Sequence, residues 1–453
     1  MGCGLYLTAS PTLLVRNPNM AGDPSPVSKQ LGSIFAYRWQ LVAMLWVAGL
    51  INYADRQAIF SLFPLLQFHL QLDLAQLGML GSAFAWAYGL AAPLSGFVVD
   101  RVRRKTAIVT GLQFWSWICA ATAMAGGLWS LVGLRAAMGV GESLYFPASL
   151  SMMSDYHGPK TRSRALGLHQ TSVYAGTILG GFCAGWIADR FDWRWPFVCF
   201  GAAGVLFAFV LGRFLIEPAR GAMDQAPDAC VPHIQQSSPV GFSTFIALAA
   251  RSPSIWLLMA AFACANFVAV VLLVWMPSYL YREFHLNLAM SGLTATALAQ
   301  SGSIAGTMTG GWLADRLAAR RRNGRVLVQL AGVLCGAPFV FLTCQTKSMG
   351  IVLLSLAAWG FFKGLYDANI FAALFDVIPI TARGAATGWM NTVGWLAGGG
   401  LAPLLVGLAA ERLGLGPAMA MVSTVYLAAG ALLLCAAFCQ PRAWRSHRPE
   451  SPC

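Results

Sequence analysis

Long runs of apolar residues, separated by short polar segments, are the dominant pattern along this chain. None of the runs alternates between polar and apolar positions, as the strands of a membrane barrel do. A run of about twenty apolar residues matches a helix that crosses the hydrocarbon core of a bilayer. We count twelve runs, at 39–63, 77–99, 106–126, 129–153, 163–188, 195–216, 254–280, 290–314, 325–344, 349–377, 384–410 and 415–438. The pattern predicts an all-α membrane protein with twelve transmembrane helices.

The runs form two sets of six around one long polar segment that is rich in proline. We therefore predict two six-helix bundles, at 38–216 and 252–440, joined by a linker at 217–251. Residues 1–37 contain several prolines and are predicted to form a disordered tail. Residues 441–453 are predicted to form a second short tail.

Composition supports lipid as the solvent for most of this chain. Hydrophobic residues make up 57% of the sequence and charged residues only 10%, whereas soluble domains carry about 25% charged residues. The mean hydropathy is +0.63. Inside lipid every backbone amide needs an internal partner, which helices supply.

The net charge of +13 first suggests a nucleic-acid partner, but the positions of the charges exclude that interpretation. Of the 30 Lys and Arg residues, 22 lie in the tails, the linker and the loops on the linker side. Three lie inside apolar runs, and the loops on the other side hold five: Arg190, Arg194, Arg282, Lys347 and Arg412. The positive-inside rule then places both termini and the linker in the cytoplasm. We expect a multi-pass protein of the inner (plasma) membrane.

Cysteine and histidine give no sign of a metal or catalytic site. The eleven cysteines are scattered, without a C-x-x-C pair, and the six histidines form no H-E-x-x-H or similar cluster. No nucleophile and base stand in a recognisable arrangement. We expect no metal, no cofactor and no enzymatic activity.

One loop motif occurs twice. Gly96-Phe-Val-Val-Asp100-Arg101 follows the second run, and Gly311-Trp-Leu-Ala-Asp315-Arg316 follows the eighth. Internal duplication of this kind is common among secondary transporters. Both copies resemble the loop signature of the major facilitator superfamily, although that family often has Gly where Arg103 and Ala318 stand.

This resemblance implies a cytoplasmic gate. A loop carboxylate would bind the exposed amides at the N-terminus of a neighbouring helix, where the helix dipole favours an anion. Asp155 is a plausible partner for Arg104. The alternative is that these charges only fix the topology. The implied gate residues are Gly96, Asp100, Arg101, Arg104, Asp155, Asp315 and Arg316.

A narrower resemblance concerns the first and fourth runs. Asn52-Tyr53-Ala54-Asp55-Arg56 and Arg135-Ala-Ala-Met-Gly139-Val-Gly141-Glu142 resemble segments of the anion:cation symporter family. That family includes proton-coupled carriers of hexuronates, aldonates, aldarates and aromatic carboxylates, and it resembles sialin-like carriers. The first segment also resembles spinster-like lipid carriers, so it does not discriminate alone.

Few ionisable residues lie inside the runs, and each is costly there unless it has a function. Arg135 and Glu142 are two helical turns apart and share one face, about 10 Å apart along the axis. Arg stays charged and binds a carboxylate with two hydrogen bonds. A carboxyl group withdrawn from water favours its protonated form, so it can take up a proton. We predict that Asp55 and Glu142 couple to protons and that Arg56 and Arg135 bind substrate. The alternative is a set of static salt bridges that only orient the helices.

The tenth run carries Lys363 and Asp367 at i and i+4. They form either a self-neutralising pair or, as we also consider, a pair whose lysine offers a second cation to the substrate. By resemblance, Tyr53, Tyr88, Tyr174 and Asn391 are further substrate-binding candidates.

These observations predict a monomeric secondary transporter that imports an organic anion, such as a sugar acid, together with H+ by alternating access. The alternative is a facilitator-family exporter of a lipid or a drug-like compound.

Overall fold

The structure is a computed structural model that describes residues 26–218, 223, 252–321, 323–379 and 382–439. Side chains within these ranges are described except at 26–36, 100, 159–160 and 384–385. Residues 1–25 of the predicted tail, most of the predicted linker and the predicted tail at 441–453 lie outside the described residues.

The first part of the chain forms eight helices in the described ranges. They are α1 (Pro26–Ser61), α2 (Phe63–Leu70), α3 (Leu74–Arg101), α4 (Arg104–Thr122), α5 (Leu128–Glu142), α6 (Tyr145–Tyr156), α7 (Pro159–Ala188) and α8 (Trp195–Phe214).

The second part is also helical wherever regular structure is described. Its elements are α9 (Pro253–Glu283), α10 (Leu288–Arg320), α11 (Gly324–Gln345), α12 (Met349–Asp367), α13 (Ile370–Phe375), α14 (Arg383–Val393), a π-helical segment (Gly394–Gly399), α15 (Ala402–Leu413), α16 (Leu415–Met421) and α17 (Ser423–Cys439).

Each predicted apolar run lies on one or more of these helices. Within the described ranges, eight helical stretches are long and apolar enough by themselves to cross a membrane: Leu74–Val99, Thr161–Ala188, Trp195–Phe214, Pro253–Glu283, Gly324–Gln345, Met349–Phe375, Ala386–Leu413 and Leu415–Cys439. The first, third, fourth and eighth runs are helical but fall outside this count. Twelve spans therefore stay a prediction.

Helix α1 begins at Pro26, inside the segment that we predicted to be a disordered tail. That prediction rested on prolines, and Pro26 is the last of them before the first apolar run. Proline is tolerated in the first turn of a helix, where its missing N–H has no intrahelical partner to lose. The helix therefore continues upstream of residue 38.

The surface is apolar and several charges are buried, which is the reverse of a soluble protein. Met124, Phe438 and Phe209 are 87%, 82% and 67% exposed, whereas Asp55 and Glu142 are at most 1% exposed. Lipid is the solvent that suits such a surface.

The same helix packing occurs in both parts of the chain. In the first, α3 packs on α5, α4 packs on α5 and α8, and α1 packs on α7. In the second, α10 packs on α12, α11 packs on α12 and α17, and α9 packs on the π-helical segment. We call these parts the N-terminal half (26–218) and the C-terminal half (252–439). They meet mainly where α7 contacts α10 and where α3 contacts α15.

We name the two ends of the molecule by their loops. The linker end carries 101–104, 156–159, 214–218 and 320–324, and the opposite end carries 70–74, 188–195, 283–288 and 413–415. At the opposite end the halves touch backbone to backbone. A Cβ added at Gly185 would lie 2.4 Å from Leu288, and one added at Gly78 would lie 2.3 Å from the Pro403 carbonyl.

Two carboxylates join the halves at the opposite end. Asp189, just after α7, accepts from the backbone amides of Leu288 (3.2 Å) and Ala289 (3.0 Å) at the start of α10. Glu411 of α15 accepts from the amide of Ala75 (3.1 Å) at the start of α3. A helix N-terminus favours a negative charge. We call these two contacts the carboxylate clasps.

Helices α3, α7, α10 and α14 leave open space toward the linker end. Nothing lies within 4 Å of a Cβ added at Gly96 of α3, Gly167 of α7, Gly311 of α10 or Gly388 of α14. Several hydrogen bonds join the halves between the middle of the molecule and the opposite end. The halves are therefore closed at the opposite end and apart at the linker end.

Candidate functional site

An ion pair between α1 and α5 lies in the interior of the N-terminal half. Nε and Nη2 of Arg56 donate to Oε2 of Glu142 at 3.1 and 2.7 Å. Arg56 is 8% exposed and Glu142 is 1% exposed. Nη1 of Arg56 and Oε1 of Glu142 are also buried and have no hydrogen-bond partner among the described residues. The pair therefore keeps one donor and one acceptor for another group.

A break in the helix places Glu142. Helix α5 ends at Glu142 and α6 begins at Tyr145. Pro147 has no backbone N–H to donate to residue 143, so it cannot continue the hydrogen bonds of α5 into α6. The carboxylate therefore sits at the end of a helix, next to the interruption.

Aromatic rings surround the Arg56 guanidinium. Its Cζ lies 4.6 Å from the ring centroids of Tyr53 and Phe84, 5.0 Å from that of Tyr88 and 5.5 Å from that of Trp395. These distances suit cation–π attraction. Trp395 comes from the C-terminal half, so the guanidinium lies where the halves meet.

Asp55 and Arg135 lie deeper in the N-terminal half and form no hydrogen-bonded pair with each other. Asp55 is fully buried and faces Cys119 and Trp115. Nη1 of Arg135 donates to the Met138 sulfur (3.2 Å), and its Cζ lies 4.7 Å from the Phe84 centroid. One phenyl ring therefore neighbours both buried guanidiniums.

A cavity of about 220 Å³ lies between the halves, beside this cluster. Four predicted site residues line it: Tyr53, Arg56, Tyr174 and Lys363. Five others do not: Asp55, Tyr88, Arg135, Glu142 and Asn391. Glu142 pairs with Arg56, which lines the cavity. The Tyr88 ring lies 5.1 Å from the ring of Trp395, which also lines the cavity. Asn391 is half-buried on α14 and has no such link.

Lys363 and Asp367 form an ion pair on α12, and both line the cavity. The structure therefore contains an ion pair at these two positions, as the i and i+4 spacing suggested. Tyr174 of α7 lines the same wall. Both the lysine and its acidic partner therefore border the cavity.

Sequence reasoning missed several cavity residues. Gln57 donates from Nε2 to the Leu273 carbonyl (3.0 Å) across the halves, and Phe84 and Trp395 form part of the wall. Aromatic residues are common throughout the apolar runs, so their type alone carried no signal. The proximity of Gln57 to Asn52-Tyr53-Ala54-Asp55-Arg56 was the available signal for that residue.

The linker-end loops hold a third buried cation. Arg104 is 2% exposed and pairs with Asp155, the partner considered from the sequence. Glu217, which the sequence did not suggest, accepts from Nε of Arg104 (3.1 Å) and from the amide of Lys105 (2.7 Å). The Asp100 side chain lies outside the described residues.

The C-terminal half repeats this arrangement in a more exposed form. Arg325 of α11 binds Asp376 at 2.6 Å and Asp315 at 3.6 Å. Arg101 and Arg316 lie over the rings of Phe97 and Trp312. Gly96 has open space beside it. The predicted gate residues with described side chains thus lie at the end where the halves are apart.

A search for metal ligands among the described residues finds no group of three or more His, Cys, Asp or Glu. The site therefore consists of an arginine–carboxylate pair, aromatic rings and amides around a cavity between two similar halves.

A profile of the Major Facilitator Superfamily matches residues 45–403. The chain belongs to the major facilitator superfamily. Membership of this superfamily makes it a multi-pass membrane transporter and not an enzyme.

Two relatives are named for the compounds that they transport, ascorbate and D-galactonate. The chloroplastic ascorbate transporter of Arabidopsis thaliana is 28% identical over 372 residues, covering 80% of this chain and 68% of the relative. The D-galactonate transporter of Escherichia coli is 25% identical over 410 residues, covering 86% and 93%.

A solved structure of the same fold is a bacterial homologue of the human lysosomal transporter Spinster, in an inward-facing and unoccupied conformation. It matches with a TM-score of 0.77 at 20% identity, covering 89% of this chain and 98% of that one. This likeness shows the superfamily fold.

Proposed function

We propose that this chain is a secondary active transporter that imports a small organic anion, such as a sugar acid, together with H+. One observation carries the proposal: Arg56 is buried, borders the cavity between the halves and keeps Nη1 without a partner among the described residues. A guanidinium can bind a carboxylate with two parallel hydrogen bonds. The D-galactonate relative supports this substrate class.

Glu142 provides the proton coupling in this proposal. Its carboxylate occupies Nε and Nη2 of Arg56. Protonation would remove the charge that holds these two donors, so they could turn to a substrate carboxylate instead. Asp55 would take or pass on the proton from its buried position behind the pair. Arg135 would hold this charge cluster rather than touch the substrate.

Alternating access follows from rocking of the halves around the cavity. We propose twelve spans in two bundles, 38–216 and 252–440, with both termini and the linker in the cytoplasm. We also propose that the protein is a monomer. The excess of Lys and Arg on the linker side supports this orientation. The open linker end is then the cytoplasmic side, and the inner (plasma) membrane is the location. No cofactor is needed.

The alternative is export of a lipid or drug-like compound. The N-Y-x-D-R segment and a human spinster relative (26% identical over 390 residues) support this alternative. The cavity of about 220 Å³ and its two cations favour a small polar anion instead.

Uptake by proteoliposomes that contain the purified protein tests the proposal. An inward proton gradient is imposed, and the panel contains hexuronates, aldonates, aldarates, aromatic acids and neutral sugars. We expect one class of acid to accumulate and a protonophore to stop it. Accumulation of neutral sugars, or of nothing, would refute the proposal. Arg56→Ala proteoliposomes are the matched control.

A further inference from the structure

The helix that follows α14 changes its hydrogen-bond pattern beside the cavity. Residues Gly394–Gly399 are π-helical, and the Gly400 amide donates to the Trp395 carbonyl five residues earlier, at 2.7 Å. Short π-helical insertions occur frequently at functional sites. Pro403 lies just beyond and cannot donate a backbone hydrogen bond to Gly399, which helps the segment leave the α-helical pattern.

Two side chains bind carbonyls of this segment, one from each half. Nδ2 of Asn266 on α9 donates to the Gly394 carbonyl at 2.7 Å. The indole nitrogen of Trp86 on α3 donates to the Leu396 carbonyl at 3.2 Å. These bonds flank Trp395 on both sides and oppose any change in the helical register.

Close packing also fixes the segment. A Cβ added at Gly394 would lie 2.2 Å from the Phe262 ring, and one added at Gly400 would lie 2.3 Å from the Trp86 ring. The backbone therefore has no room to shift toward either neighbour without moving a large aromatic side chain.

The result of this packing is the position of Trp395. Its ring borders the cavity, lies 5.5 Å from Cζ of Arg56 and lies 5.1 Å from the Tyr88 ring. Binding pockets combine a few polar groups that fix orientation with apolar and aromatic walls. A carboxylate held by Arg56 would thus place the rest of the substrate near this indole.

We propose that Trp395 is a specificity-determining residue and that Asn266 and Trp86 are its positioning residues. The indole selects carboxylates that carry an apolar C–H face or an aromatic ring next to the acid group. This inference rests on the proposed function, because it needs a carboxylate at Arg56.

The test compares Trp395→Leu and Trp395→Phe in proteoliposomes, with D-galactonate, glucuronate and benzoate as probes. We expect Trp395→Leu to raise KM roughly tenfold, since a desolvated cation–π and ring contact is lost. It should also change the ranking of the probes, whereas Trp395→Phe should keep KM within about threefold of wild type. Trp117→Leu on α4, where the tryptophan is 62% exposed, is the matched control.

The positioning role is tested with Asn266→Leu, Asn266→Gln and Trp86→Phe. Asn266→Leu should raise KM as Trp395→Leu does, with Vmax within about twofold, and Asn266→Gln should restore part of the loss because it keeps a donor. The double variant Asn266→Leu/Trp395→Leu should be no worse than Trp395→Leu alone, since both act through one contact. Equal losses in KM and Vmax, or additive losses, would refute positioning.

Failure of this inference can be told from failure of the proposed function. If wild type moves D-galactonate and Trp395→Leu leaves KM and the probe ranking unchanged, the inference alone is wrong. If wild type neither transports nor is thermally stabilised by any acid of the full uptake panel, the proposed function is wrong and the inference falls with it. Size-exclusion profiles of each variant establish that it is folded.

Discussion

The two halves of this transporter share their helix packing and their clasps but differ in their charges. Each half ends one helix with a carboxylate that binds the N-terminus of a helix in the other half. Among the described residues, the N-terminal half buries Asp55, Arg56, Arg135 and Glu142 in its interior, whereas the C-terminal half brings one lysine–aspartate pair to the cavity. The halves are therefore alike in helix packing and in their clasps, while the interior charges of the described residues concentrate in one half.

The largest effect that tests this asymmetry is expected from Arg56→Ala. Removing one partner of a buried ion pair costs several kcal/mol, so we expect substrate affinity to fall about 100-fold or more. Arg56→Lys keeps the charge but loses the two-pronged geometry and should recover little. The measurement is binding of the transported acid by isothermal calorimetry. Unchanged affinity in Arg56→Ala would contradict the substrate role of this residue.

The second test is Glu142→Gln, which keeps the shape of the side chain but removes its titration. We expect gradient-driven uptake to be abolished while exchange of substrate across the membrane continues. Both are measured in proteoliposomes, with and without substrate preloaded inside. Equal loss of uptake and exchange would show that Glu142 only holds Arg56 in place.

The third test addresses the charge pair of the C-terminal half. Lys363→Ala leaves Asp367 unpaired beside the anion and should raise KM about tenfold. The double variant Lys363→Ala/Asp367→Asn removes that repulsion, and we expect KM to remain about threefold above wild type because the cation is gone. A double variant with wild-type KM would mean that the pair is merely self-neutralising.

The smallest effects are expected at the clasps, where the halves are alike. Asp189→Asn and Glu411→Gln keep an acceptor but lose the charge that favours a helix N-terminus, worth about 0.3–1 kcal/mol at an exposed site. Each should lower the ratio of molecules closed at the opposite end to molecules open there about two- to fivefold, and the double variant should lower it further.

Distances between spin labels at Leu94 and Gly388 report that ratio, in a background without the exposed cysteines Cys199, Cys335, Cys435 and Cys439. If only one clasp variant shifts the distances, the two halves do not share the closing device.

Much of the fold follows from the sequence because lipid imposes simple rules. Apolar runs become helices, and loop charges mark one side. The helical spacing of Arg135 and Glu142 also indicated one charged face. It could not indicate that Glu142 pairs with Arg56, or that Arg135 contacts the Phe84 ring and the Met138 sulfur instead. These contacts depend on how α1, α3 and α5 pack together.

The clasps show a signal that the sequence carried and that we did not use. Gly185-Trp-Ile-Ala-Asp189-Arg190 and Gly407-Leu-Ala-Ala-Glu411-Arg412 share the pattern G-x-x-A-[DE]-R at equivalent ends of the two halves. In both copies the glycine contacts the backbone of the helix whose N-terminus the acid binds. The π-helical segment had no comparable signal, because a glycine-rich stretch is equally compatible with ordinary close packing.

The ion pairs of Arg104 with Asp155 and Glu217 suggest that this residue has two roles at different times. While the chain is being inserted, Asp155 and Glu217 lie downstream and have yet to be made, so we expect Arg104 to act then as a positive charge that helps to orient the nascent helices. In the finished protein both acids neutralise it, and it ties the first residues of the linker to the loop before α4. We therefore expect a substitution at this position to affect the orientation of the inserted helices before it affects transport.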